Sequence, residues 1–417
     1  METVLTVLIN LRDFFNHHII FTLGILLLTG FFLGKLAQKV KLPVITGYIL
    51  AGLLLSGSVT GIVREEIAES FTNITEIALG LIALTIGGEF NLYKLKKIGG
   101  KIVVIAFLEG ICALVFVSIG LTIAGLDTRF ALLLGAIAVA TAPAATVIIV
   151  RELRARGTFV DYLYGIVAFD DAVCVILFSI VFSFVSGMME SSLPTSGIFS
   201  TLFHVIFELV LSVSIGFIAG YILHVLTIRK YIANEILLIS LSIIFLVTAI
   251  AIVLHVSLII TNMVMGTVLI NVSFKNRRIF TILEPLTPPV FALFFIIAGT
   301  ELHISVFSKT IVVFWGVLYI ITRFLGKVTG VYIASVLVKA PVMVKRYLGY
   351  CLFPQAGVAI GLVLFLQSSP VITNSTVYIK GIHVLVVLIN IVLINVLINE
   401  LIGPLITRYG ITKGADL

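Results

Sequence analysis

Two adjacent carboxylates, Asp170 and Asp171, stand inside a long apolar stretch of the chain. The pair lies ten residues past Val160 (170 − 160), about 15 Å along a helix and near the middle of a 30 Å hydrocarbon layer. A charge at that depth costs on the order of 2.5–3.5 kcal/mol, and adjacent carboxylates also repel each other. Carboxylates in such a place are typical of sites that bind a cation or a proton.

A second stretch supplies the opposite charge. Arg323 and Lys327 are four residues apart, so a helix presents them on one face, again near mid-membrane depth. We predict both as charge partners of the aspartate pair. A buried lysine serves either as a structural partner or as a group that releases a proton when a cation arrives, and both roles stay open for Lys327. Arg323 favours the structural role, because a guanidinium stays charged.

Two prolines predict interruptions of membrane helices. Pro143 and Pro354 each lie about 12 Å, or eight residues, from a basic residue, Arg151 and Arg346. Proline removes a helical hydrogen bond, and unwound backbone at that depth is tolerated only beside protein or a water-filled cavity. We therefore predict that Thr141 and the carbonyls around Pro143 join Asp171 as ligands of a cation. A simple kink at each proline is the alternative.

The composition requires a bilayer around these residues. The chain has 417 residues, of which 60% are hydrophobic and 11% charged, and its mean hydropathy is +1.25. The predicted fold class is an all-α polytopic membrane protein with about thirteen transmembrane helices. The candidate segments are 17–37, 42–57, 70–88, 99–124, 129–150, 160–187, 197–226, 234–253, 256–271, 286–300, 309–337, 346–368 and 376–407.

Lysine and arginine residues are concentrated in every other loop. They concentrate after odd-numbered segments and in the C-terminal tail, at positions that include Lys39, Arg151, Arg229, Lys275, Lys339, Arg346 and Arg408. The positive-inside rule then places the N-terminus outside and the C-terminus in the cytoplasm, in the cell (inner) membrane. The net charge of +7 is thus a topology signal, and it gives no reason to expect a nucleic-acid partner.

A weak internal repeat relates the two halves. Glu89 and Glu301 stand in similar surroundings 212 residues apart (301 − 89), and nearly the same offset relates Pro143 to Pro354. The paired segments are seven apart, so the halves have opposite orientation, as in secondary transporters. We predict a first half over 1–193, a linker helix over 194–230 and a second inverted repeat over 231–417, without a separate soluble domain.

The other polar residues of the spans are weaker candidates. Glu76, Glu109, Glu208 and Glu400 lie within or near apolar segments, and each could face water or a partner. The three cysteines are expected to be buried free thiols. The sequence has no phosphate loop, zinc-protease motif or nucleophile triad, so we expect no enzyme and no cofactor.

At these residues the chain resembles the monovalent cation/proton antiporter superfamily, and within it the double-aspartate, NhaA/NapA-like and electrogenic, branch of sodium/proton antiporters. The stretches that carry the likeness are 42–52, 140–145, 170–171, 326–330 and 354–359. The electroneutral branch reads Asn-Asp and Thr-Asp-Pro where this chain has Asp170-Asp171 and Thr141-Ala142-Pro143, which favours the electrogenic branch. Residues 260–266 match neither branch well.

The resemblance implies an NhaA-like fold with two unwound crossing helices, cation or proton binding at Asp171, and pairing of Asp170 with Lys327. It implies a homodimer that exchanges sodium or lithium for protons by alternating access. Three alternatives stay open. The first is a K⁺/H⁺ antiporter of the same fold, the second is a sodium-coupled symporter of an organic anion, and the third is a channel or a non-transporting membrane sensor.

Overall fold

The structure is a computed structural model that describes residues 18–40, 42–63, 71–90, 99–190, 198–229, 232–254, 256–355 and 357–416. This part of the chain is almost wholly helical. Its α-helices are α1 Ile19–Lys39, α2 Val44–Leu55, α3 Thr72–Glu89, α4 Gly100–Ile123, α5 Thr128–Ile137, α6 Pro143–Glu152, α7 Thr158–Glu190, α8 Ile198–Thr227, α9 Ala233–Val253, α10 Leu258–Val272, α11 Arg277–Leu283, α12 Thr287–Thr300, α13 Thr310–Leu337, α14 Val342–Tyr347, α15 Gly357–Ser368, α16 Pro370–Thr373 and α17 Val384–Gly414.

Short elements complete the chain. The 3₁₀ turns are Phe274–Asn276, Glu284–Leu286, Ile304–Ser308 and Leu348–Leu352. Strands β1 (Tyr378–Ile379) and β2 (Ile382–His383) form an antiparallel hairpin before α17. A separate two-way backbone bridge joins Arg156 to Asp416, with N···O distances of 2.9 and 3.3 Å, so the chain end is tied to the start of α7.

The prediction of a mostly helical protein with many apolar helices is confirmed. Among the described residues, eight helices are long and apolar enough to cross a membrane, and a bent pair, Val342–Leu352 and Gly357–Gln367, makes a ninth. The shorter apolar helices are Val44–Leu55, Thr72–Gly88, Thr128–Ile137 and Leu258–Val272. Every predicted segment overlaps one or more of the observed helices, several of which extend a few residues past the predicted bounds. The count of thirteen spans stays a prediction.

Some predictions lie outside the described residues. The two boundaries of the predicted linker, 193–194 and 230–231, fall there, as does residue 17 at the start of the first segment. Helix α6 begins at Pro143, where a break was expected, and the bent pair surrounds Pro354. Residues 138–142 at the first break and residues 353–355 at the second break lie outside any helix.

Glycines bring α4 and α13 into backbone contact. A Cβ atom at Gly330 would lie 2.6 Å from the Cα of Glu109, and one at Gly326 would lie 2.7 Å from the Cα of Ala113. Small residues allow such close approach between membrane helices. Because both glycines flank Lys327 on the buried face of α13, the contact delivers that lysine to the face of α4 that carries Glu109.

Two further glycine pairs follow the sequence repeat. In α3 and α10, Gly87 meets the carbonyl of Met263 while Gly266 meets that of Leu84. In α12 and α2, Gly299 meets the carbonyl of Ile49 while Gly52 meets that of Ile296. The corresponding residues are separated by 212 (299 − 87) and 214 (266 − 52) positions, close to the offset that the sequence repeat predicts.

The α4–α13 contact gives a stability prediction. We expect Gly330→Val to lower thermal stability in detergent by at least the 1–3 kcal/mol typical of overpacking, because the clash is with backbone. Gly24→Val is the matched control, since nothing lies within 4 Å of a Cβ at that helical position. Melting temperatures from size-exclusion chromatography after heating make the comparison. Equal melting of the two variants would contradict the proposed packing constraint.

Candidate functional site

The guanidinium of Arg323 joins the two helix breaks. Its Nε donates to the carbonyl of Ala138 at 2.9 Å, and Nη2 donates to that of Ala140 at 2.7 Å. On the other side Nη1 donates to the carbonyl of Phe353 at 2.6 Å, and Nη2 lies 3.5 Å from that of Leu352. Carbonyls at the end of a helix have no partner within it and attract cationic donors.

These bonds show what Arg323 contacts directly. It was predicted to be a charge partner of the aspartate pair, and that role stays a prediction, while the four hydrogen bonds above all go to backbone carbonyls. The physical reason is that unwound backbone leaves carbonyl acceptors to which lipid offers no hydrogen-bond donor. A planar guanidinium has five donors and can bond to several of these carbonyls at once. Arg323 is fully buried, and its hydrogen bonds hold the two helix breaks together.

Lys327 faces the carboxylates. Its Nζ lies 2.9 Å from Asp170 Oδ2 and 3.1 Å from Glu109 Oε1. The same ammonium donates to Thr141 Oγ1 at 2.9 Å and to the carbonyl of Val139. The contact between Asp170 and Lys327 that the resemblance implies is therefore present, and Thr141 belongs to the same cluster.

Gln355 completes the set of donors. Its Nε2 donates to the carbonyl of Ile137 at 3.0 Å and lies 3.1 Å from the hydroxyl of Tyr319, while its Oε1 accepts from Asn399 Nδ2 at 3.2 Å. The four consecutive carbonyls 137–140 thus each accept from a buried side chain. The breaks also bond directly, because the amide of Ala142 donates to the carbonyl of Pro354 at 2.9 Å.

Glu109 is the residue that sequence reasoning undervalued. It is fully buried on α4, and it shares Lys327 with Asp170. Glu109 and Asp170 together balance the two buried cations of α13, Lys327 and Arg323, so Glu109 belongs to the charge balance of the site. The signal was present as a charge within an apolar span, but its partner follows only from the pairing of α4 with α13.

The two aspartates of α7 differ in their surroundings. Neighbouring side chains on a helix point about 100° apart, so they face different partners. Asp170 is fully buried against Lys327. Asp171 is partly exposed and lines a cavity of about 690 Å³.

The cavity extends from the breaks to one end of the helical bundle. Thr141, Ala142 and Asp171 line its inner part, and Glu152 and Arg408 mark the end near the basic residues Lys39 and Arg151. Its remaining wall is mostly apolar, with Glu400 as another carboxylate. Among the described residues, no group of three or more His, Cys, Asp or Glu side chains is placed to hold a resident metal ion.

A family model described as "Sodium/hydrogen exchanger, transmembrane" matches residues 22–406, nearly the whole chain. The chain belongs to the sodium/hydrogen exchanger family. Members of this family are transmembrane transporters, not enzymes. The buried charges and helix breaks described above are therefore those of an exchanger-family protein.

Solved structures show the same fold as this exchanger-family chain. A structure of the sodium proton antiporter MjNhaP1 from Methanocaldococcus jannaschii at pH 8 aligns with a TM-score of 0.74 and 18% identity, over 95% of this chain and 98% of that one. An electron-microscopy structure of the same antiporter gives 0.67 and 18%, over 94% and 95%. At this identity the likeness concerns the fold.

A characterised relative is the ammonium/H(+) antiporter subunit AmhT of Alkalihalophilus pseudofirmus. It is 27% identical to this exchanger-family chain over 168 residues, or 39% of this chain. The match spans 40% of the relative's length.

Arg323 yields a prediction about stability. We expect Arg323→Lys to melt well below the wild type, because one ammonium cannot reach the carbonyls of both breaks, at about 1–3 kcal/mol for each acceptor left without a donor. Arg129→Lys is the control, since Arg129 pairs with Asp127 at the surface, where an ion pair contributes about 0–1 kcal/mol. Thermal unfolding in detergent measures both, and similar losses would refute the fastening role.

Lys327 yields a second prediction. We expect Lys327→Met to lose roughly 3–5 kcal/mol of stability, because it leaves Glu109 and Asp170 buried without a cation. Adding Glu109→Gln should restore part of that loss, since it removes one of the two charges. The same melting assay compares the single and double variants. A double variant no more stable than Lys327→Met would show that Glu109 is not part of the charge balance.

Proposed function

We propose that this protein is an electrogenic Na⁺(Li⁺)/H⁺ antiporter that works by alternating access, with cation and protons competing at Asp171. The observation that carries the proposal is the different placing of the two aspartates. Asp171 lines a cavity that reaches one end of the bundle, while its neighbour Asp170 is held by Lys327. A carboxylate in that cavity can take a cation or a proton, but a protonated carboxylate is a poor ligand for a cation.

The surroundings of Lys327 support a coupled release of charge. Its ammonium touches Glu109 Oε1, Val139 O, Thr141 Oγ1 and Asp170 Oδ2, a shell of oxygens that would also suit a small monovalent cation. If Lys327 gives up its proton and moves away, these oxygens become free beside Asp171. One proton from Asp171 and one from Lys327 would then exchange for one cation, which makes transport electrogenic.

Membership of the double-aspartate branch belongs to the same proposal. The supporting residues are Asp170-Asp171 and the break Thr141-Ala142-Pro143, which has no carboxylate. We further propose a homodimer in the cell (inner) membrane with a cytoplasmic C-terminus. In that orientation the cavity faces the cytoplasm, because its outer end lies near Lys39, Arg151 and Arg408.

One relative suggests a different transported cation. AmhT is named as a subunit of an ammonium/H⁺ antiporter, so ammonium stands beside potassium as an alternative cargo of the same site. The organic-anion symporter is disfavoured by the charges of the cavity. Its wall carries the carboxylates Glu152, Asp171 and Glu400 against the single guanidinium of Arg408.

Proteoliposomes with an internal pH dye test the proposal. They are pulsed in turn with sodium, lithium, potassium, ammonium and an organic anion, each at a clamped and an unclamped membrane potential. We expect sodium and lithium to move protons, with a rate that depends on the potential, and Asp171→Asn to abolish the flux. Asp161→Asn, an exposed aspartate at the start of the same helix, is the control and should retain it.

The outcomes separate the readings. Proton flux driven only by potassium or ammonium would keep the site and change the cargo. Flux without any effect of the membrane potential would remove the electrogenic step. An Asp171→Asn variant as active as the wild type, or a wild type that moves no protons with any cation, would overturn the proposed function.

A further inference from the structure

The exchange mechanism proposed above does not use Glu400 of helix α17. Its side chain is 2% exposed and contributes to the wall of the cavity that Asp171 also lines. Its Oε1 is buried and accepts no hydrogen bond from any residue that the structure describes. An ionised carboxylate without donors is unstable in such a place, so this oxygen requires a proton or a cation as its partner.

The backbone of the same residue supplies a second oxygen. Pro404 lies inside α17, four residues after Glu400, and proline has no N–H to donate to the carbonyl four residues earlier. The carbonyl of Glu400 therefore loses its helical partner. The preceding residue, Asn399, carries a further buried acceptor, Oδ1, without a hydrogen bond in the described part of the chain.

Contacts on both sides place Glu400 beside the second helix break. Asn399 donates to Gln355, and a Cβ atom at Gly403 would lie 3.1 Å from the Cα of Pro354. Arg408 follows Glu400 by eight residues on the same helix, about 12 Å towards the end of the bundle. Glu400 thus stands at the level of the second break, in the wall of the cavity that Thr141 also lines.

The charged side chains that line the cavity are mainly acidic. Of the charged side chains that line the cavity, Glu152 and Asp171 are acidic and Arg408 is basic. Helix α6, which packs against α17, contributes Arg151 and Glu152, and its Arg151 is exposed to solvent. Helix α15, also packed against α17, contributes no charged residue. A cation is therefore a better partner for Glu400 than an anion.

We propose that Glu400, with its own carbonyl oxygen, forms a second binding position for a monovalent cation in the cavity that Asp171 lines, at the level of the second helix break. The inference rests on the proposed function, because it gives the transported cation a second binding position in the same cavity. Carboxylate and carbonyl oxygens are the ligands that hard cations such as sodium take. Glu400 concentrates the cation at the site, while Asp171 performs the exchange.

Transport kinetics at one fixed pH test this role. We expect Glu400→Gln to raise the KM for the cation about three- to tenfold, as the loss of one ligand charge should, with a maximal rate within about twofold of wild type. Pro404→Ala keeps the carboxylate but returns an N–H to the carbonyl, and it should raise KM in the same direction. Glu208→Gln is the control, because Glu208 bonds to Ser183 and does not line this cavity.

Equilibrium binding of ²²Na⁺ to purified protein separates this inference from the proposed function. In the Asp171→Asn background we expect weak residual binding that disappears when Glu400→Gln is added. An unchanged KM in both Glu400→Gln and Pro404→Ala, or no residual binding in Asp171→Asn, would overturn the second position while leaving antiport intact. A wild type without any exchange would refute the proposed function, and the residual binding would still decide the role of Glu400.

Discussion

The structure depends on the need to satisfy unwound backbone at mid-membrane. Four successive carbonyls, 137–140, lie at the last residue of α5 and in the break after it, where lipid offers no donors. The protein supplies the donors from α13 and from the facing break, as one arginine, one lysine and one glutamine. Two of these donors, the arginine and the lysine, are cations, so satisfying the backbone also buries positive charge. The buried carboxylates of α4 and α7 balance that charge.

Because one lysine bonds to several groups at once, the helices that form the site must pack closely. A lysine can serve a carbonyl and two carboxylates at once only if the backbones of α4 and α13 meet, and Gly326 and Gly330 allow that. The neighbouring aspartate is left to the cavity by helix geometry alone. The carboxylate that pairs with Lys327 and the carboxylate that lines the cavity are thus on adjacent residues of α7.

Much of this could be predicted from the sequence, and the failures have a common cause. Asp170, Asp171, Lys327 and the two prolines stood out because a charge or a proline is expensive within an apolar span. The partners of Arg323 did not, because backbone carbonyls leave no mark in the residue types. Glu109 was visible, but its role depends on which helices pack together, which in turn depends on small residues that are common throughout membrane segments.

The two-way backbone bridge between Arg156 and Asp416 connects residue 416 to the start of the helix that carries the aspartate pair. Helix α7 begins two residues after Arg156 and carries both aspartates, so residue 416 is hydrogen-bonded beside the start of the helix that holds them. A domain or tag fused next to residue 416 would therefore act on the first turn of that helix. The placement of an affinity tag is for this protein a mechanical choice as much as a practical one.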